Sequence, residues 1–390
     1  SMLTFKSFTG INNVQPEHRL KASDLLAAKD VDIGLDGEVS RRGGFTRLSE
    51  ICHKNLWQGA GFQLATTEGA LVSIAVDGTT TVLWPNIGPD RVWYCNLPDG
   101  RTLFSTGLQR GITDGLTAQM LTVPEPATLG SLDFAFGELE PGQYRYGLSH
   151  VRLSDRAEGP VRVSEPVSLL QGGLRLDGLP QLPGHAINVY LSGRDGEGML
   201  FAGTATERSF EYSGRNSALV LPARTLGARV LPDGTLMAFW RGRVLVAQGK
   251  VLWASRPAVP HLSDWRDFKP MTADITALVS VDTGIYVGTT QDLIFLGGET
   301  FDGLVYTATQ RGQVVLGSGI AAPGHRLALG DGIGAGAAML CIAGGEVVAG
   351  FDGGQTTSLT ANRFKTAAKE VSAAFREVNG IPQYMAVPHG

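Results

Sequence analysis

The stretch Arg229–Pro257 reads RVLPDGTLMAFWRGRVLVAQGKVLWASRP, and Ile275–Gly298 reads ITALVSVDTGIYVGTTQDLIFLGG. Both contain short runs rich in Val, Leu, Ile, Tyr and Trp, each of about five residues, the usual length of a strand. Two-residue steps that end in glycine separate the runs: Asp233-Gly234, Arg241-Gly242, Gln248-Gly249 and Thr283-Gly284. Tight hairpin turns need positive φ, which glycine adopts freely, so this stretch is predicted to form successive antiparallel hairpins.

Similar hairpin units recur along the chain. Gly242–Ser255 and Gly284–Gly297 share the order strand, short polar turn, strand, and such a sheet repeated around an axis is typical of a β-propeller. The blade-like units are Ile51–Asp77, Trp84–Leu116, Arg229–Ser255, Ile275–Gly298 and Ala337–Thr360. The sequence therefore predicts an all-β protein with a propeller of about five blades. The Val31–Arg42 hairpin is expected beside Ala337–Thr360, closing the ring.

Residues 123–214 interrupt the hairpin pattern. They begin with the proline-containing stretch VPEPATLGSL and continue with strands at the spacing of an immunoglobulin-like β-sandwich. The pattern YRYGLSHV followed by EGPVRVSEPV resembles a fibronectin type III module. Because the cysteines are Cys52, Cys95 and Cys341, the segment contains none, which excludes a disulfide-bonded immunoglobulin domain.

The C-terminal segment ANRFKTAAKEVSAAFREVNG carries apolar residues at helical spacing, so a helix or an extended arm is predicted there. Its apolar side chains are expected to contact partner proteins or to pack on the propeller. The predicted domains are residues 2–122 as the first part of the propeller, 123–214 as the inserted sandwich, 215–361 as the second part of the propeller, and 362–390 as a C-terminal helix or arm.

Composition excludes several classes of protein. The 390 residues carry a net charge of −4 with no basic stripe, so a dedicated nucleic-acid surface is not expected. No apolar run approaches the roughly 20 residues of a membrane span, and the N-terminus lacks the apolar core of a signal peptide. The odd number of widely spaced cysteines predicts reduced thiols.

No motif for catalysis, a cofactor or a metal is found, so no catalytic, cofactor-binding or metal-binding residues are predicted. Ser280–Tyr286 partly matches the Asp box of sialidase-type propellers, where the aspartate forms a structural turn. A sialidase would also need clustered arginines, a tyrosine nucleophile and a carboxylate, so a glycosidase stays an alternative. The histidines, among them His150, His185 and His261, are isolated and are predicted to be surface or packed residues.

The order of motifs along nearly the whole chain resembles a family of tailed-bacteriophage virion proteins. These motifs are GINN…EHRL…AKDVDIGLDGEVSRRGGFTRL, PGQYRYGLSHV, GRVLVAQGKVLWAS, GIYVGTTQDLIFLGG and GGEVVAGFDGGQTTSLTANRF…FREVNGIPQY. In architecture the family is similar to the tail hub or packaged-DNA stabilisation proteins of short-tailed phages. The resemblance implies a non-enzymatic structural protein of the tail or head–tail region, assembled in the bacterial host cytoplasm, whose partners are other virion proteins.

Two other functions remain open. A carbohydrate- or receptor-binding phage protein could use exposed aromatic platforms, for which Trp57, Trp84, Trp93 and Tyr190 are the candidates. A glycosidase-like propeller enzyme would need a cleft with convergent arginines and carboxylates.

Overall fold

The computed structural model describes residues 3–5, 31–33, 39–41, 54–75, 77–170, 172–323, 336–359, 369–378 and 381–388. These residues form β-strands and short 3₁₀ turns, and none of them lies in an α-helix. No helix in this part of the chain is long and apolar enough to cross a membrane. The protein is therefore all-β, as predicted, and its contacts divide it into two compact units.

The first unit, the propeller, comprises the described residues of Ser1–Gln119, Asp233–Pro257 and Asp267–Gly390. Its first strands are β1 (Leu3–Phe5), β2 (Val31–Ile33) and β3 (Val39–Arg41). Blade 1 consists of β4 (Lys54–Gln58), β5 (Gln63–Thr67), β6 (Ala70–Ile74) and β7 (Thr80–Trp84). Blade 2 consists of β8 (Trp93–Asn96), β9 (Thr102–Ser105), β10 (Arg110–Thr113) and β11 (Ala118–Met120). In each blade, consecutive strands pair antiparallel.

The second unit comprises Met120–Pro232 and Ala258–Arg266. A three-stranded sheet has the order β12 (Ser131–Leu139), β17 (Gly172–Asp177), β20 (Phe210–Tyr212). A four-stranded sheet has the order β15 (Arg162–Val163), β14 (Tyr146–Arg152), β18 (His185–Ser192), β19 (Met199–Ala205). Three short strands complete it: β13 (Gly142–Tyr144), β16 (Val167–Leu169) and β21 (Arg229–Val230).

One apolar core joins the two larger sheets of this unit. Leu148 and Val189 of the four-stranded sheet pack in the same buried cluster as Leu174 and Leu176 of the three-stranded sheet. Two sheets that share a core in this way form a β-sandwich. The closer likeness to fibronectin type III modules stays a prediction.

The chain then returns to the propeller. Blade 3 consists of β22 (Met237–Trp240), β23 (Arg243–Gln248), β24 (Val251–Arg256) and the end of β25 (Val259–Pro270), whose first residues belong to the sandwich. Blade 4 consists of β26 (Ile275–Val281), β27 (Gly284–Thr289), β28 (Leu293–Gly297) and β29 (Val305–Ala308). Blade 5 consists of β30 (Ile320–Pro323), β31 (Ala337–Ala343), β32 (Glu346–Gly350) and β33 (Thr356–Ser358).

A sixth sheet joins the two ends of the chain. Its strands are β34 (Val371–Val378), β35 (Ile381–Pro388) and β1, in the order β1-β35-β34. Leu3 pairs with Ala386 and Phe5 with Tyr384. This sheet, blade 6, adds to the five blades counted in the sequence. Pairing of β1 with β35, the last described strand, protects the edge of that strand, as the closure of a propeller requires.

The hairpin turns follow the predicted glycine signals. At Arg241-Gly242 both residues have positive φ, 46° and 82°, which is the type I′ turn that suits the twist of a two-strand ribbon. Glu68-Gly69 repeats this geometry between β5 and β6, with φ of 51° and 77°. The local sequence therefore sets the register inside each blade.

The propeller core lies between neighbouring blades. Leu245 and Ala254 of blade 3 share a buried cluster with Ile285 and Leu296 of blade 4. Similar clusters join blades 1 and 2, blades 4 and 5, and blades 5 and 6. Each of these four interfaces is thus filled by apolar side chains from both blades.

The helix predicted within ANRFKTAAKEVSAAFREVNG is wrong for the described residues, since residues 371–378 form the strand β34, which pairs with the strand β35 at residues 381–388. Val371 and Phe375 are four residues apart, a spacing that fits one helical turn and also two steps along one face of a strand. Ala373 lies between them on that face, and all three pack in the core between blades 5 and 6. The rest of the predicted helix lies outside the described residues.

Two other expectations differ from the structure in detail. Val31–Arg42 forms the predicted hairpin of β2 and β3, but the strand that pairs with β35 is β1; the place of the hairpin beside Ala337–Thr360 stays a prediction. The sandwich was placed at residues 123–214, whereas the second unit runs from Met120 to Pro232 and includes Ala258–Arg266. The sequence analysis did not identify Ala258–Arg266 as part of this unit, because β25 runs without a glycine or a turn through the point where the chain returns to the propeller.

Candidate functional site

The propeller encloses a central channel. It is a cavity of about 620 Å³ bounded by the innermost strand of every blade. These strands are β4, β8, β22, β26, β30 and β34. Pockets of this size accommodate small molecules, and its wall is mostly apolar with a few polar groups.

Two aromatic residues in the channel wall, one from blade 1 and one from blade 2, contact each other. The rings of Trp57 and Tyr94 stack with centroids 5.4 Å apart and an interplanar angle of 17°. The Trp57 Nε1–H donates to Asn96 Oδ1 at 2.8 Å, and the Tyr94 hydroxyl donates to the Asn55 carbonyl at 2.7 Å. Burial raises the pKa of Tyr94 above its ordinary value, so the phenol stays protonated. These contacts stabilise the ring and leave both polar groups occupied.

Arg91 crosses one mouth of the channel. It lies two residues before β8 of blade 2, and its Nη1 donates to Glu370 Oε1 at 2.9 Å and to the Val371 carbonyl at 2.8 Å, both at the start of β34. The guanidinium carbon lies 3.6 Å from the centroid of the Trp93 ring. Burial lowers the pKa of Arg91, whereas the hydrogen bond and charge of Glu370 raise it.

Gly317 makes room for this guanidinium. A Cβ on Gly317, which precedes β30 of blade 5, would lie 2.9 Å from both terminal nitrogens of Arg91. Arg91 of blade 2 therefore binds the start of blade 6 beside the segment that leads into blade 5. No local pattern predicts the pairing of Arg91 with Glu370, because the two residues are 279 positions apart.

The partial Asp-box segment is a turn between neighbouring blades. The backbone amide of Thr283 donates to Asp352 Oδ1 at 3.2 Å, and the amide of Gly353 donates to the Thr283 hydroxyl at 2.8 Å. Tyr286 is buried, and its hydroxyl donates to the Phe351 carbonyl at 2.6 Å. Among the described residues lining the channel, Arg91 is the one arginine and none is Asp or Glu. The group of residues that a sialidase needs does not come together in this lining.

The four candidate aromatic platforms have different surroundings. Tyr190 is buried and donates to Glu158 at 2.7 Å, so its prediction as an exposed platform is wrong. Trp84 packs edge-on against Phe104 and donates to Gln109 at 2.8 Å. Trp57 and Trp93 are half-buried in the channel wall. Only the two channel residues therefore face a cavity that could hold a ligand.

The sandwich carries a group of exposed apolar side chains, which we call the apolar tip: Phe134, Phe136 and Leu170. Phe136 is 97% exposed, Leu170 86% and Phe134 57%. The pairing of β12 with β17 is irregular between Ala135 and Leu139, which is a bulge. Bulges re-aim side chains, and this one directs Phe136 into solvent.

Glycines permit the close backbone approach at this bulge. A Cβ on Gly173 would lie 2.8 Å from the Phe136 carbonyl oxygen, and a Cβ on Gly137 would lie 2.8 Å from the Gly172 oxygen. The Phe-x-Phe-Gly run at 134–137 and the Gly-Gly pair at 172–173 are the signal of this bulge in the sequence.

Ion pairs flank the tip. Arg215 pairs with Glu138 at 2.6 Å, and Arg194 pairs with Glu140 at 3.0 Å. All four side chains are more than half exposed. Large apolar side chains beside a charged, hydrated margin have the composition of a protein-binding surface, in which a dry centre is surrounded by a polar rim.

No family model and no curated protein matches the chain. Solved structures similar to it include virginiamycin B lyase from Staphylococcus aureus, with 11% identity, a TM-score of 0.32, and coverage of 86% of this chain and 94% of the other. A complex of BBS1N with ARL6DN has 10% identity and a TM-score of 0.34, and the match covers 87% of this chain and 93% of the other. AztD from Citrobacter koseri has 11% identity and a TM-score of 0.28, and the match covers 86% of this chain and 90% of the other. Similarities of this size do not identify a function for the chain.

Proposed function

We propose that this protein is a non-enzymatic structural protein of a tailed-bacteriophage virion, located in the tail or head–tail region. It acts through contacts with other virion proteins, is assembled in the bacterial host cytoplasm, and uses neither a nucleic-acid surface nor a membrane segment. The apolar tip is the observation that carries the proposal, and the order of sequence motifs supports it.

The tip has the properties of an anchor for a partner protein. Phe136 and Leu170 leave most of their side-chain surface in water, which costs free energy in an isolated chain. Exposed apolar groups of this size, when clustered, mark interaction sites more often than single exposed residues do. The ion pairs of Glu138 and Glu140 would then form the rim and limit the orientations in which a partner can bind.

Incorporation into particles tests this function. Virions assembled with the wild-type chain should contain it, as measured by mass spectrometry of purified particles. F136D and L170D should each lower incorporation at least roughly tenfold, since loss of a central anchor costs about 2 kcal/mol or more. The matched control is L108D, which alters an equally exposed leucine in a turn of blade 2 and should leave incorporation unchanged. Absence of the wild-type chain from purified particles would overturn the proposal.

A carbohydrate-binding role in receptor recognition is the second candidate. The half-buried Trp93 ring in the channel wall favours it, since aromatic faces stack on sugar rings and Arg91 already covers one face of this ring. A glycan array would detect such binding. Binding that W93A abolishes and W84A preserves would support this candidate, whereas an array without any bound glycan would contradict it.

A further inference from the structure

A pair of histidines in the sandwich is not used by either candidate function. His150 lies on β14 opposite Ile187, and His185 lies on β18 opposite Arg152. Side chains two residues apart on a strand share a face, so the two histidines are diagonal neighbours across this strand pair. Their ring centroids are 6.1 Å apart with an interplanar angle of 75°.

Each of these rings has a buried nitrogen without a hydrogen-bond partner. For His185 it is Nε2, and for His150 it is Nδ1. His185 Nδ1 lies 2.8 Å from the Pro183 carbonyl oxygen, which can only accept, so Nδ1 carries the proton and Nε2 presents a lone pair. His150 is only 4% exposed, and its buried Nδ1 has no partner to offset the loss of water.

This arrangement matches a metal-binding histidine. Such a residue typically donates its other ring N–H to a backbone carbonyl, which fixes the tautomer and aims the free nitrogen, as Pro183 does for His185. Burial and the neighbouring His185 lower the pKa of His150, which favours the neutral form of this ring, the form that binds metal.

We propose that His150 and His185 bind one Zn²⁺ ion between them, with water as the remaining ligands. A zinc–nitrogen bond of about 2.0–2.1 Å places the ion about 3.2 Å from each ring centre, so rings sharing one ion lie up to about 6.4 Å apart. The observed 6.1 Å is within that reach. The described residues contain no cluster of three or more His, Cys, Asp or Glu side chains suited to a metal, so the affinity is that of a two-histidine site.

The nearby charge does not oppose an ion strongly. Arg152 stands opposite His185, but its guanidinium is held by both carboxylate oxygens of Asp155 at 2.9 Å. A bound ion would connect β14 to β18 in the four-stranded sheet of the sandwich. It would therefore stabilise the unit that carries the apolar tip.

Zinc binding to the untagged full-length chain tests the proposal. Titration with Zn²⁺ against a chromophoric zinc indicator at pH 7.5 should reveal one equivalent of bound ion. H185Q and H150Q should each weaken binding at that site at least tenfold. H261Q is the matched control, because it removes another histidine of the sandwich and should leave that site intact.

Acidification provides a second measurement. Affinity at this site should fall as the pH decreases through the range where histidine is protonated, from about 7 to 5.5. Because His185 is half-buried, H185Q is expected to fold even where H150Q does not, and circular dichroism monitors both. A wild-type chain without a one-equivalent site, or H185Q with wild-type affinity, would overturn the proposal.

Discussion

The propeller and the sandwich differ in how large apolar side chains reach water. In blade 2 of the propeller, Leu108 and Leu116 are exposed singly, each in the turn between two strands. In the sandwich, Phe134 and Phe136 lie on the edge strand β12, which pairs only with β17 in its sheet. Leu170 lies two residues before β17. Isolated exposed apolar residues are common on protein surfaces, whereas several of them beside the open side of an edge strand are typical of a binding surface.

Closure explains the difference. In the propeller, the apolar faces that pack between neighbouring blades are buried without a partner protein. A small sandwich has open strand edges, and a protein that keeps such an edge exposed and apolar either binds something there or aggregates. We therefore expect the propeller to be stable without a partner, while recognition by the sandwich stays part of the proposed function. The following variants compare the stability of the two units.

The largest effect is expected from Y384A on β35. Tyr384 has no exposed surface, packs in the core between blades 5 and 6, and its hydroxyl donates to the Ser318 carbonyl at 2.7 Å. Loss of a buried aromatic ring should reduce the free energy of unfolding by about 3–5 kcal/mol. Urea unfolding followed by tryptophan fluorescence reports mainly on the propeller, which holds five of the six tryptophans.

The control for Y384A is Y306A, which removes a half-exposed tyrosine from β29 of blade 4. Y306A should lower the free energy of unfolding by no more than about 1 kcal/mol. Equal losses for the two variants would mean that β35 does not contribute to the propeller core, and the ring would then be closed in another way.

The next effect concerns the sandwich. In G173V the added side chain would meet the backbone oxygens of Phe136 and Tyr212, which cannot move aside as a flexible side chain would. We expect a loss of about 2–3 kcal/mol from overpacking at the bulge, measured by urea unfolding followed by far-ultraviolet circular dichroism. G193A is the control, because a Cβ there meets nothing within 4 Å. If G173V is as stable as G193A, the bulge does not depend on glycine.

A smaller effect is expected at the channel mouth. R91M removes the ion pair with Glu370 and the hydrogen bond to the Val371 carbonyl but keeps an apolar side chain of similar length. It should lower the free energy of unfolding by about 1–2 kcal/mol. R101M is the control, since Arg101 pairs with Asp99 in the same blade but at a more exposed position, where such a pair is worth about 1 kcal/mol or less. Urea unfolding of R91M, E370Q and the double variant would give the coupling free energy between Arg91 and Glu370. If the two single variants lower the free energy of unfolding additively, the two side chains do not interact.

Local features of the fold could be predicted from the sequence, whereas contacts between its ends could not. The turns at Arg241-Gly242 and Glu68-Gly69 depend on adjacent residues, so the hairpins and most blades were found. The pairing of β1 with β35 joins opposite ends of the chain and leaves no signal in either segment alone. The spacing of Val371 and Phe375 fits a helix and a strand equally, and only the neighbouring blade decides between them.

The candidate sites were hidden for a related reason. Arg91 and Glu370 have no pattern in common, and their meeting follows from the ring. His150 and His185 were treated as isolated, because their proximity depends on the register between β14 and β18. The apolar tip had a local signal in Phe134, Phe136 and the nearby glycines, but alternating phenylalanines equally describe a buried strand face.

The smallest effect is expected from the protonation of His150, measured with a chelator present so that no metal contributes. Burial, and then the neighbouring His185, lower the pKa of His150 in the folded chain, while in the unfolded chain its pKa is near 6.5. Above that value the imidazole is neutral in both states and stability does not change with pH. As the pH falls below 6.5, the unfolded chain binds the proton first, so the free energy of unfolding decreases until the folded pKa is passed. The loss is at most about 1.4 kcal/mol for each unit by which the pKa is lowered. Urea unfolding at pH 7.5 and 5.5, followed by circular dichroism, should show a decrease for the wild type that is smaller in H150Q and unchanged in H261Q. An equal decrease in H150Q would mean that His150 is as easily protonated in the sandwich as in the unfolded chain.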